Sequence, residues 1–215
     1  QIVAMMTEAI EAAKHWCGSD LHLLSNRENA VYSMQTPQGR AALRLHRQGY
    51  QKEAAIRSEL WWCAALATAG VAVPKPLATQ EGDQLLRLSS GGHASAIAWV
   101  DGDPVGEAGQ PFTMPHSAQI ALHRSLGRLL AEVHSATDRL QLPADFIRPA
   151  WDIDGLTGDA PLWGRFWEHP ALGADDARLL TKGRDFLRER LQDYAARGGD
   201  FGLVHADVLR ENVFV

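Results

Sequence analysis

The sequence holds two cysteines in 215 residues, Cys17 and Cys63, far apart along the chain. That excludes a disulfide framework and fits reduced core residues in a cytoplasmic protein. It has no basic excess: 21 Lys and Arg stand against 26 Asp and Glu, for a net charge of -5. Without a basic face there is no electrostatic footprint for nucleic acid or for an anionic membrane. There is no long hydrophobic run. The most apolar stretch, 60–73, contains Thr68 and Gly70 and is too short to span a bilayer. The first helix-like stretch carries Glu8 and Glu11 and lacks a basic segment followed by an apolar one, which excludes a secretory signal. The loop 25–29, Ser-Asn-Arg-Glu-Asn, has no glycine, so it is neither a G-x-G-x-x-G loop nor a Walker A loop. Repeats and low-complexity tracts are absent as well.

What is present is a globular composition. Hydrophobic residues make up 46% and charged residues 22%, enough to bury one large domain or two lobes. Residues 3–17 place Met6, Ile10, Ala13 and Cys17 at helical spacing, and Gly18 stops the pattern. Residues 21–48 read as the two strands of a hairpin. Val31, Tyr32 and Met34 lie on the first, Thr36-Pro37-Gln38-Gly39 is the turn, and 41–46 is the return. Just before the hairpin, Asn26 and Asn29 tolerate left-handed backbone and offer a partial substitute for glycine, although the segment alone reads as a plain turn. On the return strand Leu43 and Leu45 share one face and Arg44 points the other way. Taken alone, Arg44 is a solvated arginine; beside a nucleotide it is a forked cation for phosphate. Residues 52–69 form a helix with Ile56, Leu60, Cys63, Ala64 and Ala67 in one stripe. Glu59 lies beside that stripe, within reach of a cation on the neighbouring strand.

Two more strands are expected at 84–88 and 94–100, separated by Ser89-Ser90-Gly91-Gly92. Asp101-Gly102-Asp103-Pro104 then breaks the pattern, and the remainder is mostly helical. That shift marks a lobe boundary, and clefts between lobes are favoured ligand sites. Residues 117–135 carry Leu122, Leu126, Leu129, Leu130 and Val133 on one helical face. His123 and His134 on that helix lack the spacing of a metal pair. Residues 137–172 are irregular and rich in aromatics. Asp152-Ile153-Asp154 is not a calcium loop, since Leu156 and Trp163 fall on ligand positions. Trp151, Trp163, Phe166 and Trp167 read first as packing residues. With Asp152, Asp154 and Asp159 they also offer a pocket for a cationic substrate. A last helix is expected at 175–196, with Leu180, Leu187, Leu191 and Tyr194 buried and Gly198-Gly199 as its stop.

The most informative stretch is 201–215, F-G-L-V-H-A-D-V-L-R-E-N-V-F-V. It reads as strand, polar loop, strand. Asp207 is followed five residues on by Asn212, the spacing of a phosphoryl-transfer catalytic loop. In such a loop the Asp orients or deprotonates the acceptor hydroxyl and the Asn offers its oxygen to a metal ion.

Around that loop the sequence resembles the aminoglycoside phosphotransferase-like family of small-molecule kinases, which includes homoserine- and choline-kinase-like enzymes. The resemblance rests on Leu203-Val204-His205-Ala206-Asp207 with Asn212, on Ala42-Leu43-Arg44-Leu45-His46, on Glu28-Asn29-Ala30-Val31-Tyr32 and on 126–134, L-G-R-L-L-A-E-V-H. It implies an α+β, bilobal protein-kinase-like fold. Residues 1–98 would be a nucleotide-binding N-lobe with an antiparallel sheet and one main helix, 99–104 a connector, and 105–215 a mostly helical C-lobe truncated after the catalytic loop. It implies transfer of the γ-phosphate of ATP, with Mg2+, to a hydroxyl of a small molecule. Asp207 would be catalytic, Asn212 a metal ligand and His205 a support of the loop. Arg44, Glu59, Asn29 and the backbone of Ala98, Trp99 and Val100 would bind the nucleotide.

Three departures matter. Ala206 stands where the family usually has glycine. Val208-Leu209-Arg210-Glu211 replaces a small Pro/Gly-containing segment. The family's second metal-binding Asp follows a strand that this sequence only begins, so the chain alone is expected to be inactive and to belong to a longer protein. These departures keep a second reading open, a non-catalytic nucleotide-binding relative. A protein Ser/Thr kinase is the third, weakened by the lack of an arginine between His205 and Asp207.

Overall fold

The computed structural model describes residues 2–107 and 109–215. The chain opens with helix α1 (Ile2–Lys14), followed by strands β1 (Ser19–Asn26), β2 (Asn29–Thr36) and β3 (Gly39–His46). Helix α2 (Glu53–Thr68) comes next, then β4 (Pro76–Leu77), β5 (Leu86–Arg87) and β6 (His93–Ala98). The rest is helical: α3 (His116–Thr137), the short α4 (Ile153–Thr157) and α5 (Ala174–Ala196). Among the described residues the sheet is antiparallel throughout, in the order β1-β2-β3-β6-β4, with β5 also on β6. The fold class is thus the α+β arrangement expected, an antiparallel N-terminal sheet followed by a helical part.

The hairpin expected at 21–48 is a three-stranded meander. The missed strand, β1, lies on the sheet edge and is exposed along nearly its whole length. It has polar Ser19, Asp20, His22, Ser25 and Asn26 and two register irregularities against β2. An edge strand with no buried face leaves no alternation to read. By contrast β2 and β3 pair without a break from Asn29↔His46 to Thr36↔Gly39. Tyr32, Met34, Leu43 and Leu45 line their inner face and are buried. Each large side chain so buried contributes about 1.5–3 kcal/mol.

Helix α1 covers that inner face, but rotated from the expected stripe. Ala9, Ala12, Ala13 and Trp16 are buried, Ile10 is 47% exposed, and Cys17 sits in the turn after the helix with φ 50. Small alanines let the helix lie close to the sheet, and the indole Nε1 of Trp16 donates to the Leu77 carbonyl at 3.0 Å. Close approach of backbone selected the small face over the large one. On α2 the buried residues are Ala55, Ile56, Ser58, Leu60, Trp62 and Leu66; of the expected stripe Ile56 and Leu60 are buried, whereas Cys63, Ala64 and Ala67 are half-buried. On α3 the expected face holds, but full burial is confined to the C-terminal end, at Val133, Ala136 and Thr137. No residue of α5 is buried; Leu187 and Tyr194, expected inside, are 53% and 43% exposed.

The chain divides into two compact units. One comprises Gln1–Phe146 with Leu203–Val215; the other is Ile147–Gly202. In the first unit, Trp62, Leu66, Val71, Val133 and Ala136 form a core cluster joined by the partly buried Leu203. The buried Trp62 Nε1 donates to Thr137 Oγ1 at 2.9 Å, and that hydroxyl donates to the Val133 carbonyl at 2.7 Å. In the second unit, Asp152 caps α4 by accepting from Gly155 N at 2.7 Å, and Arg188 of α5 donates to Asp154 at 2.8 Å.

The strand–loop–strand reading of 201–215 does not hold. Residues 201–209 are irregular, Arg210–Asn212 is a single 3-10 turn, and Phe214 makes only an isolated bridge to Pro104. The terminal run pairs with 103–105 rather than extending a sheet. Asp103 and Val215 exchange two backbone bonds at 3.1 Å, and Val105 N donates to Val213 O at 2.8 Å. Gly102, with φ +109, permits this approach: a Cβ there would lie 2.5 Å from the Val215 carbonyl oxygen.

Candidate active site

Two groups of expected site residues assemble within the first unit. The first is on β3 and α2. Arg44 lies between the buried Leu43 and Leu45 in sequence and points away from them, as alternation requires. Its Nη1 meets Glu59 Oε1 at 3.2 Å, with the two side chains 36% and 28% exposed. The helix thereby fixes a guanidinium on the face opposite the α1 core. A surface-accessible pair of this kind contributes little stability, typically under about 1 kcal/mol. Its value is positional.

His46 shares the Arg44 face. Its Nε2 is 2.8 Å from Ser95 Oγ. Burial, with smaller contributions from the Arg44 and His93 charges, pushes the imidazole down to about 3, so it is neutral at physiological pH. His93 opposes it in register and bonds Glu53 Oε2 at 3.1 Å. Glu53 is held below the usual carboxylate range by its bonds from Arg57 and His93.

Asn29 and Asn26 do not take left-handed backbone; both are strand residues. Asn29 Oδ1 instead accepts from Arg47 N at 3.2 Å, tying the start of β2 to the end of β3. The β1–β2 connection is a tight turn closed by Arg27 N donating to Asn29 O at 3.2 Å. No glycine is needed because the turn residues 27 and 28 keep negative φ.

At the end of β6, Ala98 N donates to Lys75 O at 2.8 Å and Trp99 N to Arg40 O at 3.1 Å. The Arg40 guanidinium carbon stands 3.5 Å over the Trp99 ring centroid, a cation–π contact. Two of the three expected adenine-contacting residues therefore already have their N–H groups engaged.

The second group is the loop 205–212. Asn212 Nδ2 donates to the Asp207 carbonyl oxygen and to Asp207 Oδ2, each at 3.0 Å. Asp207 N in turn donates to His205 Nδ1 at 3.3 Å, so His205 braces the loop from within. Ala206 has φ 61, the left-handed conformation that a glycine would take without strain. Arg210 lies over the Phe112 ring at 3.9 Å and donates to the Gln110 carbonyl. Glu211 pairs with Arg27, Oε1 to Nη1 at 3.7 Å. The partners of Arg210 and Glu211 are distant in sequence, so no local signal points to these contacts.

The residues fit a magnesium ion of the kind carried by nucleotide phosphates. With its amide nitrogen engaged by Asp207, Asn212 retains its side-chain oxygen, and Asp207 retains Oδ1, both hard donors. Among the described residues no group of three or more His, Cys, Asp or Glu forms a cage that would hold a metal unaided. In the second unit Trp167 packs against arginines of its own chain. Trp167 is buried, with Arg184 4.5 Å from its ring, and Trp151 meets Trp163 edge-on at 6.0 Å. Asp154 is paired with Arg188, and of the four aromatics expected to pack only Trp167 is buried; Trp151, Trp163 and Phe166 are exposed.

An antiparallel N-terminal sheet crossed by one main helix and followed by a helical part is the architecture of a protein-kinase-like phosphotransferase. The chain belongs to the phosphotransferase enzyme family: the sequence model of that family matches residues 21–215. Among solved structures it is similar to a microcompartment-associated aminopropanol kinase, at 31% identity and a TM-score of 0.79, over 98% of this chain and 64% of that one. It is similar in fold to amicoumacin kinase hAmiN, solved with AMP-PNP, Ca2+ and Ami, at 18% identity and a TM-score of 0.65, over 86% of this chain and 53% of that one. Spectinomycin phosphotransferase APH(9)-Ia, solved with ADP and spectinomycin, shares the fold at 16% identity and a TM-score of 0.55, over 97% of this chain and 64% of that one. The chain thus spans less than two thirds of the length of these relatives. Comparison with curated proteins finds no match. Among the described residues no helix is long and apolar enough to cross a membrane.

Proposed function

We propose that the protein carrying this chain transfers the γ-phosphoryl group of ATP to a hydroxyl of a small molecule. The observation that carries this reading is the Asp207–Asn212 contact at 3.0 Å, within the same compact unit as the Arg44–Glu59 pair. Residues 1–98 serve as the nucleotide lobe, 99–104 as the connector and 105–215 as the helical lobe with the catalytic loop. Arg44, fixed by Glu59, holds phosphate oxygens through its fork. Asn29 keeps the β1–β2 turn in place by its bond to Arg47. At the connector, adenine is met by the carbonyls of Ala98 and Trp99 and by Val100, because the Ala98 and Trp99 N–H groups are engaged in the sheet.

Asp207 accepts a hydrogen bond from the acceptor hydroxyl, aligns its oxygen with the γ-phosphorus and takes its proton as the new P–O bond forms and the bond to ADP breaks. Asn212 holds the Asp207 carboxylate in one orientation, and its side-chain oxygen would hold magnesium. Bound magnesium supplies charge neutralisation on the phosphates. His205 supports the loop through the Asp207 amide.

An amino alcohol is the first acceptor to test, since the relative at 31% identity is described as an aminopropanol kinase. The deciding experiment uses the intact protein with magnesium, ATP and a panel of amino alcohols, sugars and aminoglycosides, scored by ADP release. Asp207→Ala should abolish transfer while ATP still binds. Undiminished turnover in that variant excludes the role given to Asp207, and binding without turnover on the whole panel favours a regulatory relative.

A further inference from the structure

The feature of the first unit that the proposed chemistry leaves unused is the Arg27–Glu211 ion pair. Arg27 sits at the β1–β2 turn, and Glu211 lies in the 3-10 turn immediately before Asn212. Their charged atoms are 3.7 Å apart although the residues are 184 positions apart (211 minus 27). The two ends of the pair differ. Glu211 is 23% exposed and sits beside Arg210, which is itself pinned over Phe112; the Arg27 side chain is 69% exposed. One partner is held and the other has room to swing. The turn that bears Arg27 is itself rigid, through its Arg27 N to Asn29 O bond and the Asn29 to Arg47 bond.

We infer that Arg27 is a phosphate-positioning residue, held in reserve by Glu211 and transferred to a phosphate oxygen when a nucleoside triphosphate binds. The inference rests on the nucleotide-binding reading given above. Arg27 stands in the turn that leads into β2, the strand paired with the one that carries Arg44: Arg44 opposes Val31, and Asn29, two residues after Arg27, opposes His46. Arg27 already reaches the 205–212 loop through Glu211, so a polyphosphate held both by Arg44 and at that loop would come within its range. A triphosphate–magnesium complex still carries net negative charge, and a forked guanidinium binds phosphate more strongly than it binds one carboxylate across 3.7 Å. The exchange also supplies what the loop 25–29 lacks. Without glycine its backbone cannot wrap a phosphate closely, and a long cationic side chain from a rigid turn replaces that contact.

The test is calorimetric titration of the intact protein with magnesium-ATP and, separately, with adenosine, for wild type, Arg27→Ala, Arg27→Lys and Glu211→Gln. Arg27→Ala should weaken ATP roughly tenfold and leave adenosine unchanged, the size expected of a charge-assisted phosphate contact. Arg27→Lys should restore part of the loss. Glu211→Gln should tighten ATP by about two- to fivefold, the magnitude of one exposed ion pair removed as a competitor. Equal weakening of ATP and adenosine by Arg27→Ala would mean a purely structural role and would overturn the inference. So would weaker ATP binding in Glu211→Gln, which would make the pair a brace instead of a reserve. If wild type binds no ATP, the nucleotide reading fails first and the inference with it; if wild type binds and the variants match it, only the inference fails.

Discussion

Asn212 Nδ2 bonds both the main-chain and the side-chain oxygen of Asp207, at 3.0 Å each. One amide thus closes a five-residue loop and fixes the rotamer of the carboxylate within it. A carboxylate that must align a hydroxyl gains from being fixed beforehand, because misplacement near 1 Å is expensive in rate.

Asn212→Ala removes the loop closure and, on the role proposed above, a magnesium ligand. In the intact protein it should lower kcat by about a hundredfold or more, with a raised magnesium requirement. Asn212→Asp should recover part of the metal binding but not the bond to Asp207. Magnesium titrations of the rate at saturating ATP separate the two contributions, and identical magnesium curves for wild type and Asn212→Ala would remove this residue from the metal site.

Arg44 and Glu59 should behave as a coupled pair in ATP binding but hardly in folding. Arg44→Ala is expected to raise KM for ATP by about tenfold while KM for the acceptor stays within a factor of two. In a double-mutant cycle on stability, the coupling should be below about 1 kcal/mol, because both side chains are partly exposed at 36% and 28%. A coupling of several kcal/mol in urea unfolding would contradict a mainly positional role.

Ala206 is the position to replace with glycine. Left-handed backbone costs alanine about 1–2 kcal/mol, whereas glycine gives back about 0.5–1 kcal/mol through its greater unfolded freedom. With φ 61 at this residue, Ala206→Gly should be neutral or stabilising by up to about 1 kcal/mol, and Ala206→Val should be clearly destabilising. Thermal unfolding of the two variants against wild type decides; a lower midpoint for the glycine variant would mean that the strain is absent.

His46 gives the folded chain a pH signature. Its imidazole is depressed to about 3 when folded against an ordinary value of 6.5. Below pH 6.5 the unfolded chain takes up a proton that the folded chain refuses, so stability is lost as pH falls towards about 3 and is fully present above 6.5. The slope approaches about 1.4 kcal/mol per pH unit well inside that window. Between pH 7 and pH 5, wild type should therefore lose about 1–2 kcal/mol more than His46→Asn, measured by urea unfolding at each pH. Parallel pH curves for the two proteins would rule out burial as the source of the shift.

Much of this was legible in the residues. Alternation placed Arg44 away from Leu43 and Leu45, and helical spacing put Glu59 where a strand cation could meet it. Asp207 and Asn212 carried their spacing openly. What failed had physical reasons. Strand β1 is an edge strand with no buried face, so it left no periodic trace. The register of α1 was decided by how close alanines let it approach the sheet, which favoured Ala9 and Ala12 over Ile10. The run 201–204 has strand-like composition yet pairs with nothing, and Leu203 packs against helices instead. The contacts of Arg27, Arg210 and Arg40 depend on the tertiary path, which no local window contains.

The cluster of Trp62, Val133 and Leu203 has a consequence for how the first unit breathes. Trp62 follows Glu59 on α2 by three residues, and Leu203 precedes His205 by two, so one patch of side chains anchors both the helix that steadies Arg44 and the approach to the loop. Neither can loosen alone without exposing the buried indole and its 2.9 Å bond to Thr137. Amide hydrogens of the second half of α2 and of the C-terminal end of α3 should therefore exchange in a single opening event, with one shared free energy and one shared response to denaturant.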